Sequence, residues 1–318
     1  MVLDPRKPDP HSPSEIDLSQ LATEQRNAKT AAIDRVSTLE MVRLINAEDQ
    51  QVALAVEQVL PEIAEAIDRI AVQFQQGGRL FYIGAGTSGR LGILDASECP
   101  PTYGVEFGRV MGLIAGGDEA IRKAVEGAED DPARGMADLQ AHQFTAQDVL
   151  VGLAASGRTP YVMGGLKYAK QLGAFTIAVA CTPQSPISAI ADLAIEPLPG
   201  PEVITGSTRM KAGTAQKLVL NLLSTGTMIK IGKVYGNLMV DVQASNQKLV
   251  ERCKRIVCEA TQVSRDRAEE LLKLTQYDVK LAILIQQTDL PLEQAAQLLT
   301  ETAGYLQRAI DRSTQDNL

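Results

Sequence analysis

The chain has 318 residues, 45% of them hydrophobic, with a formal net charge of −8 and a pI of about 5.0. That length and apolar content suffice for a sizeable core with a smaller appendage, and thinly spread Lys and Arg give no surface suited to a nucleic-acid backbone or an anionic membrane. Every apolar run meets Arg, Lys, Glu or Gln before the roughly 18 residues a membrane helix needs, so neither nucleic acid nor membrane is expected as a partner.

In chain order, residues 1–30 place Pro5, Pro8, Pro10 and Pro13 among charges and read as a flexible arm. Ser37, Thr38, Leu39 and Glu40 form a capping box, and Met41, Leu44 and Ile45 follow at helical spacing. A second helix is expected over about 51–75, divided or kinked by Pro61 and ended by Gly77 and Gly78. Short apolar runs at 80–83, 110–115, 149–154, 175–180 and 193–195 then alternate with helical patterns. Runs so continuous suit strands buried on both faces, which predicts an α/β fold with a doubly wound parallel sheet of about five strands. A long helix over about 208–230 follows a polar loop. Beyond 253 the pattern is wholly helical, near 264–274, 278–287, 291–300 and 301–311, with tight turns such as Thr288-Asp289-Leu290-Pro291. Three parts are expected: the arm to residue 30, an α/β domain with N-terminal helices over 31–252, and a small helical C-terminal domain over 253–318.

Cys99, Cys181, Cys253 and Cys258 lack the close pairing of a zinc site, and no secretory signal precedes the fold, so reduced thiols in the cytoplasm are expected. The two histidines, His11 in the arm and His142 before a strand, are poorly placed for catalysis. Proton transfer then falls to carboxylates, Lys, Tyr or Cys.

Three loops could receive a ligand. The first, Gly84-Ala85-Gly86-Thr87-Ser88-Gly89, joins a strand to a helix whose unpaired N–H groups favour an anion. A purely structural turn or a dinucleotide fingerprint would look similar. The dinucleotide reading is weakened by Asp95 and Glu98, which lie inside the following helix where that motif needs an acidic residue at the end of a second strand. The second loop, Ala155-Ser156-Gly157-Arg158-Thr159-Pro160, again sets hydroxyls at the carboxyl end of a strand; the alternative for Ser156 and Thr159 is helix capping. The third, from Glu202 through Ser207, Arg209 and Lys211, could hold a sugar, close a subunit interface or cap the helix, with ligand binding and structure equally weighted.

Together these loops resemble the sugar isomerase fold family. Three longer stretches resemble more closely its N-acetylmuramic acid 6-phosphate etherase branch: Leu91 to Thr102 with Ala96-Ser97-Glu98-Cys99, Ala124 to Asp130 with Glu126-Gly127-Ala128-Glu129, and Ser207 to Lys217. The likeness starts near Leu21 and reaches almost to the C-terminus. It implies Glu98 and Glu129 as the catalytic pair. It also implies phosphate and sugar contacts at Gly86, Thr87, Ser88, Ser156, Gly157 and Thr159, with Glu202, Ser207, Arg209 and Lys211 as further contacts, and a homodimer with its sites near the subunit interface. Neither a metal nor an organic cofactor is expected.

The implied reaction suits two carboxylates. A lactyl ether at C3 resists direct hydrolysis, because the alkoxide is a poor leaving group and C3 bears no carbonyl. In the open-chain aldehyde, however, C1=O acidifies the C2 hydrogen. A base can remove it while an acid protonates the departing oxygen, and water then adds at C3. An aldose–ketose isomerase and a non-catalytic sugar-phosphate sensor remain as alternatives on the same fold.

Overall fold

The chain is described by a computed structural model over residues 24–244 and 246–316. Five strands, β1 (Leu80–Gly84), β2 (Val110–Ile114), β3 (Val149–Leu153), β4 (Phe175–Val179) and β5 (Leu193–Ile195), form one parallel sheet ordered β2-β1-β3-β4-β5. The expected doubly wound sheet is thus present. β1 and β3 are buried at every position, which is why their sequences carry no polar alternation.

Alternate strand residues feed two cores. Leu80, Tyr82, Val149, Val151, Ile177 and Val179 pack under α1 (Thr38–Glu57), α2 (Leu60–Gln75), α3 (Gly86–Tyr103) and α8 (Lys211–Lys230). Phe81, Ile83, Leu150 and Ala178 face α5 (Pro132–Ala141), α6 (Pro160–Gln171) and α7 (Pro186–Ile190). Removing a buried side chain such as Leu153 or Ile63, both nearly inaccessible, costs about 2–5 kcal/mol. The short α4 (Gly117–Arg122) follows β2.

Of the two expected effects of Pro61 on the stretch 51–75, the structure shows the division, and only the start at 51 needs correction. Residues 51–57 continue α1, which Ser37 caps by accepting from the Glu40 N–H, and the chain turns at 58–59. Pro61 opens α2 and does not kink it, because a ring without an N–H loses nothing in the first turn, where N–H groups have no helical partner.

The C-terminal part starts with a two-stranded hairpin, β6 (Val234–Tyr235) and β7 (Leu238–Met239), which sequence patterning did not reveal. Five helices follow: α9 (Gln247–Thr261), α10 (Arg265–Leu274), α11 (Val279–Thr288), α12 (Leu292–Glu301) and α13 (Leu306–Asp316). Their apolar residues form a separate core running from Val240 to Ala309. A division at 252/253 would cut through α9, so we propose that the unit begins at the hairpin. It leans on the sheet domain through Tyr305, whose hydroxyl donates to the Lys230 carbonyl and accepts from Gln75 at 3.0 Å. It also meets the end of α3, where Gly104 at φ 61° presses on the Asp241 carbonyl; a Cβ there would lie 2.4 Å from that oxygen.

Within the expected arm, the described residues 24–30 pack on the body. Asn27 and Thr30 are buried, and Thr30 donates to the Val203 carbonyl at 2.8 Å. His11 and the four prolines named above lie outside the described residues. All four cysteines are free; Cys99, Cys181 and Cys253 are buried and Cys258 half-buried.

Candidate active site

The strand order reverses between β1 and β3, and in such sheets ligands settle outside the carboxyl ends at that point. Both hydroxyl-bearing loops leave from these two strands. After β1, Gly86 is exposed and Thr87 half-buried at the start of α3, whose N-cap Ala85 offers no side-chain acceptor. After β3, Gly157 at φ +68° turns the chain so tightly that a Cβ would meet Ser185 at 2.2 Å. Its N–H bonds the Ala154 carbonyl at 2.9 Å and its own carbonyl accepts from Ile187 at 3.0 Å. Ser156 and Thr159 flank that turn, half-buried. Thr159 stands at the N-cap of α6 but makes no capping bond, which removes the purely structural reading of its hydroxyl. Among the described residues, the hydroxyls of Thr87, Ser156 and Thr159 have no hydrogen-bond partner, and two helix N-termini open beside them.

The start of α8 adjoins these loops. A Cβ on Gly213 would sit 3.3 Å from Thr87 Cγ2, and Cys181, at the end of β4, donates its N–H to the Ala155 carbonyl at 2.9 Å. Ser88 is mostly buried and faces α8, donating to Gln216 Oε1 at 2.9 Å. Ser207 is half-buried and Arg209 exposed, each with its side chain unbonded among the described residues.

The structure does not bring Glu202 or Lys211 to that surface. Glu202 is 1% exposed and accepts the Lys211 and Ala212 N–H groups, both at 2.9 Å, as the cap of α8. Burial pushes its carboxyl up, partly offset by those bonds. The Lys211 ammonium lies inside, 2.7 Å from Glu48 and 3.1 Å from the Pro201 carbonyl. Glu48 also accepts from Asn27 at 2.8 Å and Lys29 at 3.0 Å. Burial alone would raise its carboxyl, but hydrogen bonds from Lys211, Lys29 and Asn27 prevail and hold it at about 2. Glu48 and Asn27 were missed in the sequence because their partner lies far along the chain.

The two glutamates are both exposed, one on α3 and one in the segment that follows β2. Glu129 occupies a short helical turn (Ala128–Asp130) in the segment that follows β2, and Val125 of that segment packs against Gly116 just past the strand, at the carboxyl edge. Glu98 lies on α3, from position 86 to 98 along the helix, about 18 Å from its N-terminus at about 1.5 Å per residue. Asp95, three residues before Glu98 on α3, accepts from Tyr82 at 2.8 Å and from Ser224 at 3.0 Å, which ties the middle of the helix to β1 and α8. Burial raises the Asp95 carboxyl, and burial with the nearby Asp95 and Glu98 charges pushes the Cys99 thiol up to about 12. Among the described residues no cluster of His, Cys, Asp and Glu could hold a metal ion.

Comparison with known proteins now bears on this geometry. Over 295 residues the chain is 58% identical to an N-acetylmuramic acid 6-phosphate etherase of Clostridium botulinum, covering 93% of this chain and 98% of that one. The chain belongs to the N-acetylmuramic acid 6-phosphate etherase family. A Vibrio atlanticus member is 59% identical over 296 residues, covering 93% and 97% of the two chains. Residues 62–170 match the profile of the glucokinase regulatory protein N-terminal SIS domain, 128–226 that of the SIS domain, and 236–306 that of the C-terminal lid domain of glucokinase regulatory protein. Among solved structures, a phosphoheptose isomerase from Francisella tularensis is 16% identical with a TM-score of 0.48, covering 61% of this chain and 100% of that one. Among the described residues no helix is long and apolar enough to cross a membrane.

Proposed function

We propose that the chain cleaves the D-lactyl ether of N-acetylmuramic acid 6-phosphate by elimination and rehydration, giving N-acetylglucosamine 6-phosphate and D-lactate during cell-wall amino sugar recycling in the cytoplasm. The observation that carries this reading is identity at more than half of all positions, over nearly the whole length, with proteins named for that activity. The crevice adds chemical sense: free hydroxyls at Thr87, Ser156 and Thr159 beside two helix N-termini suit a phosphate.

In this scheme Glu129 removes the C2 hydrogen of the open-chain aldehyde. Glu98 protonates the ether oxygen as lactate leaves, and water adds to C3 of the unsaturated aldehyde with the two carboxyls exchanging roles. The phosphate takes no chemical part, but its fixed binding lowers the cost of orienting C2 and C3 against the carboxyls. Every proton is moved by a protein carboxyl.

Because Glu98 lies about 18 Å of helix beyond the N-terminus of α3 and its side chain is exposed, its partner in catalysis in this reading is the crevice of a second copy, in a homodimer. Exposed apolar side chains support such a contact: Leu94 one turn before Glu98 is 46% exposed, and Leu39 and Val42 on α1 are 58% and 49% exposed.

The test is turnover of N-acetylmuramic acid 6-phosphate in heavy-oxygen water. Lactate release with the label on C3 of the sugar and none in lactate is expected. Label in the lactate hydroxyl would mean attack on the lactyl carbon, while binding without lactate release would leave a sensor or an isomerase.

A further inference from the structure

Arg158 lies between Ser156 and Thr159, in the turn that leaves β3. It is half-buried, its Nε is wholly buried, and no atom of the described protein accepts a hydrogen bond from it. Other arginines that reach into packed regions are engaged. Arg79 holds Asp148 at 2.8 Å, Arg90 donates to the Ala120 and Ile121 carbonyls at 2.8 Å, and Arg109 to those of Phe74 and Gly77 at 2.8 Å. A guanidinium is always charged and carries five donors, and leaving a buried donor unmatched is unfavourable. Nearby, Lys211 is spent on Glu48, so its charge is unavailable to a ligand.

The phosphosugar reading of the crevice leaves a gap that Arg158 fills. Ser156, Thr159 and the N-terminus of α6 offer neutral donors, whereas a phosphate carries up to two negative charges and loses water on entering. A planar guanidinium matches two phosphate oxygens at once and supplies the missing charge.

We propose that Arg158 is the cationic ligand of the sugar phosphate, donating to oxygens that Ser156 and Thr159 also hold. This rests on the reading of the crevice as a phosphosugar site. The substrate carries a second anion, the lactyl carboxylate, but Arg158 shares its turn with the two hydroxyls, which favours the phosphate.

The full-length chain carrying Arg158→Gln is compared with the parent by calorimetry, using N-acetylglucosamine 6-phosphate and, separately, unphosphorylated N-acetylmuramic acid as competitor. Affinity for the phosphosugar is expected to fall roughly 10- to 100-fold, with the unphosphorylated ligand unaffected. Retained affinity for N-acetylglucosamine 6-phosphate with loss confined to the lactyl-bearing ligand would assign Arg158 to the carboxylate and overturn the proposal. Equal losses for both ligands would make it structural. Should Arg158→Gln not fold by circular dichroism, Arg158→Lys decides: an intermediate, phosphate-confined loss supports the proposal and unchanged affinity refutes it. A parent protein that neither binds the phosphosugar nor releases lactate would instead refute the functional reading itself.

Discussion

At the carboxyl edge of the sheet, the hydroxyls of Thr87, Ser156 and Thr159 end without partners among the described residues. Under the first turn of α8 a short way off, Glu48, Glu202, Lys211 and Asn27 spend their donors and acceptors on one another and on the backbone. Glu202 and Lys211 come from a polar loop before a helix, as the open hydroxyls do, yet one region is left open and the other sealed. The difference lies in burial. A charge that stays inside must be paired, because an isolated one costs far more than its neighbours can return, whereas a half-exposed hydroxyl can wait in water for a ligand. The sealed network therefore holds the third loop in place, and the open one is where binding energy remains to be gained.

If that division is right, variants on the two sides separate activity from stability. The largest loss is expected at the carboxyls. Glu98→Gln and Glu129→Gln should each fall by about 10² to 10⁴ in rate while melting normally. Measuring C2 hydrogen exchange by NMR beside lactate release sharpens the assignment: Glu98→Gln should keep exchange without cleavage, and Glu129→Gln should lose both. Exchange surviving only in Glu129→Gln would reverse the roles.

Next comes Glu48→Ala, which strands the buried Lys211 ammonium and should cost about 3–5 kcal/mol in denaturant unfolding at neutral pH. The folded-state carboxyl sits at about 2 against an ordinary 4.5, so the stabilisation is complete above about 4.5 and is lost as pH falls toward 2. The gap between parent and variant should therefore narrow on acidification. A gap that widens there would mean that the Glu48 cluster stabilises by something other than its charge.

The smallest effects belong to the open hydroxyls. Ser156→Ala and Thr159→Ala should each weaken a phosphorylated ligand by about 1.5–3 kcal/mol, leave an unphosphorylated one alone, and move stability by no more than about 0.5 kcal/mol. A clear drop in melting temperature in either variant would put that hydroxyl on the sealed side.

Much of the sheet was legible because β1 and β3 are apolar at every position, a pattern that only strands covered on both faces sustain. The Gly-hydroxyl loops were legible as turns for a related reason, since the positive φ of Gly86 and Gly157 favours glycine at those places. The start of α2 was misplaced because a proline in a first turn and a proline in a kink look alike along the chain. The hairpin at 234–239 has two residues per strand, too few to show a period. Glu202 and Lys211 read as ligands because a motif reports residue type and not accessibility. The Glu48 partner that fixes Lys211 lies 163 residues away. The place of Glu98 about 18 Å along α3 follows from counting turns of that helix, but the second copy that we propose faces it leaves no mark in the sequence of one chain.

The distribution of the cysteines has a use at the bench. Cys99 and Cys181 are buried and held at about 12, so they stay as neutral thiols, slow toward alkylating reagents and oxidants, and Cys253 is buried as well. Cys258, half-buried on α9, is then the one thiol a maleimide fluorophore can reach in the folded chain. A dye placed there rides on the C-terminal helices, far along the sequence from the loops after β1 and β3, with no cysteine to be engineered in or out.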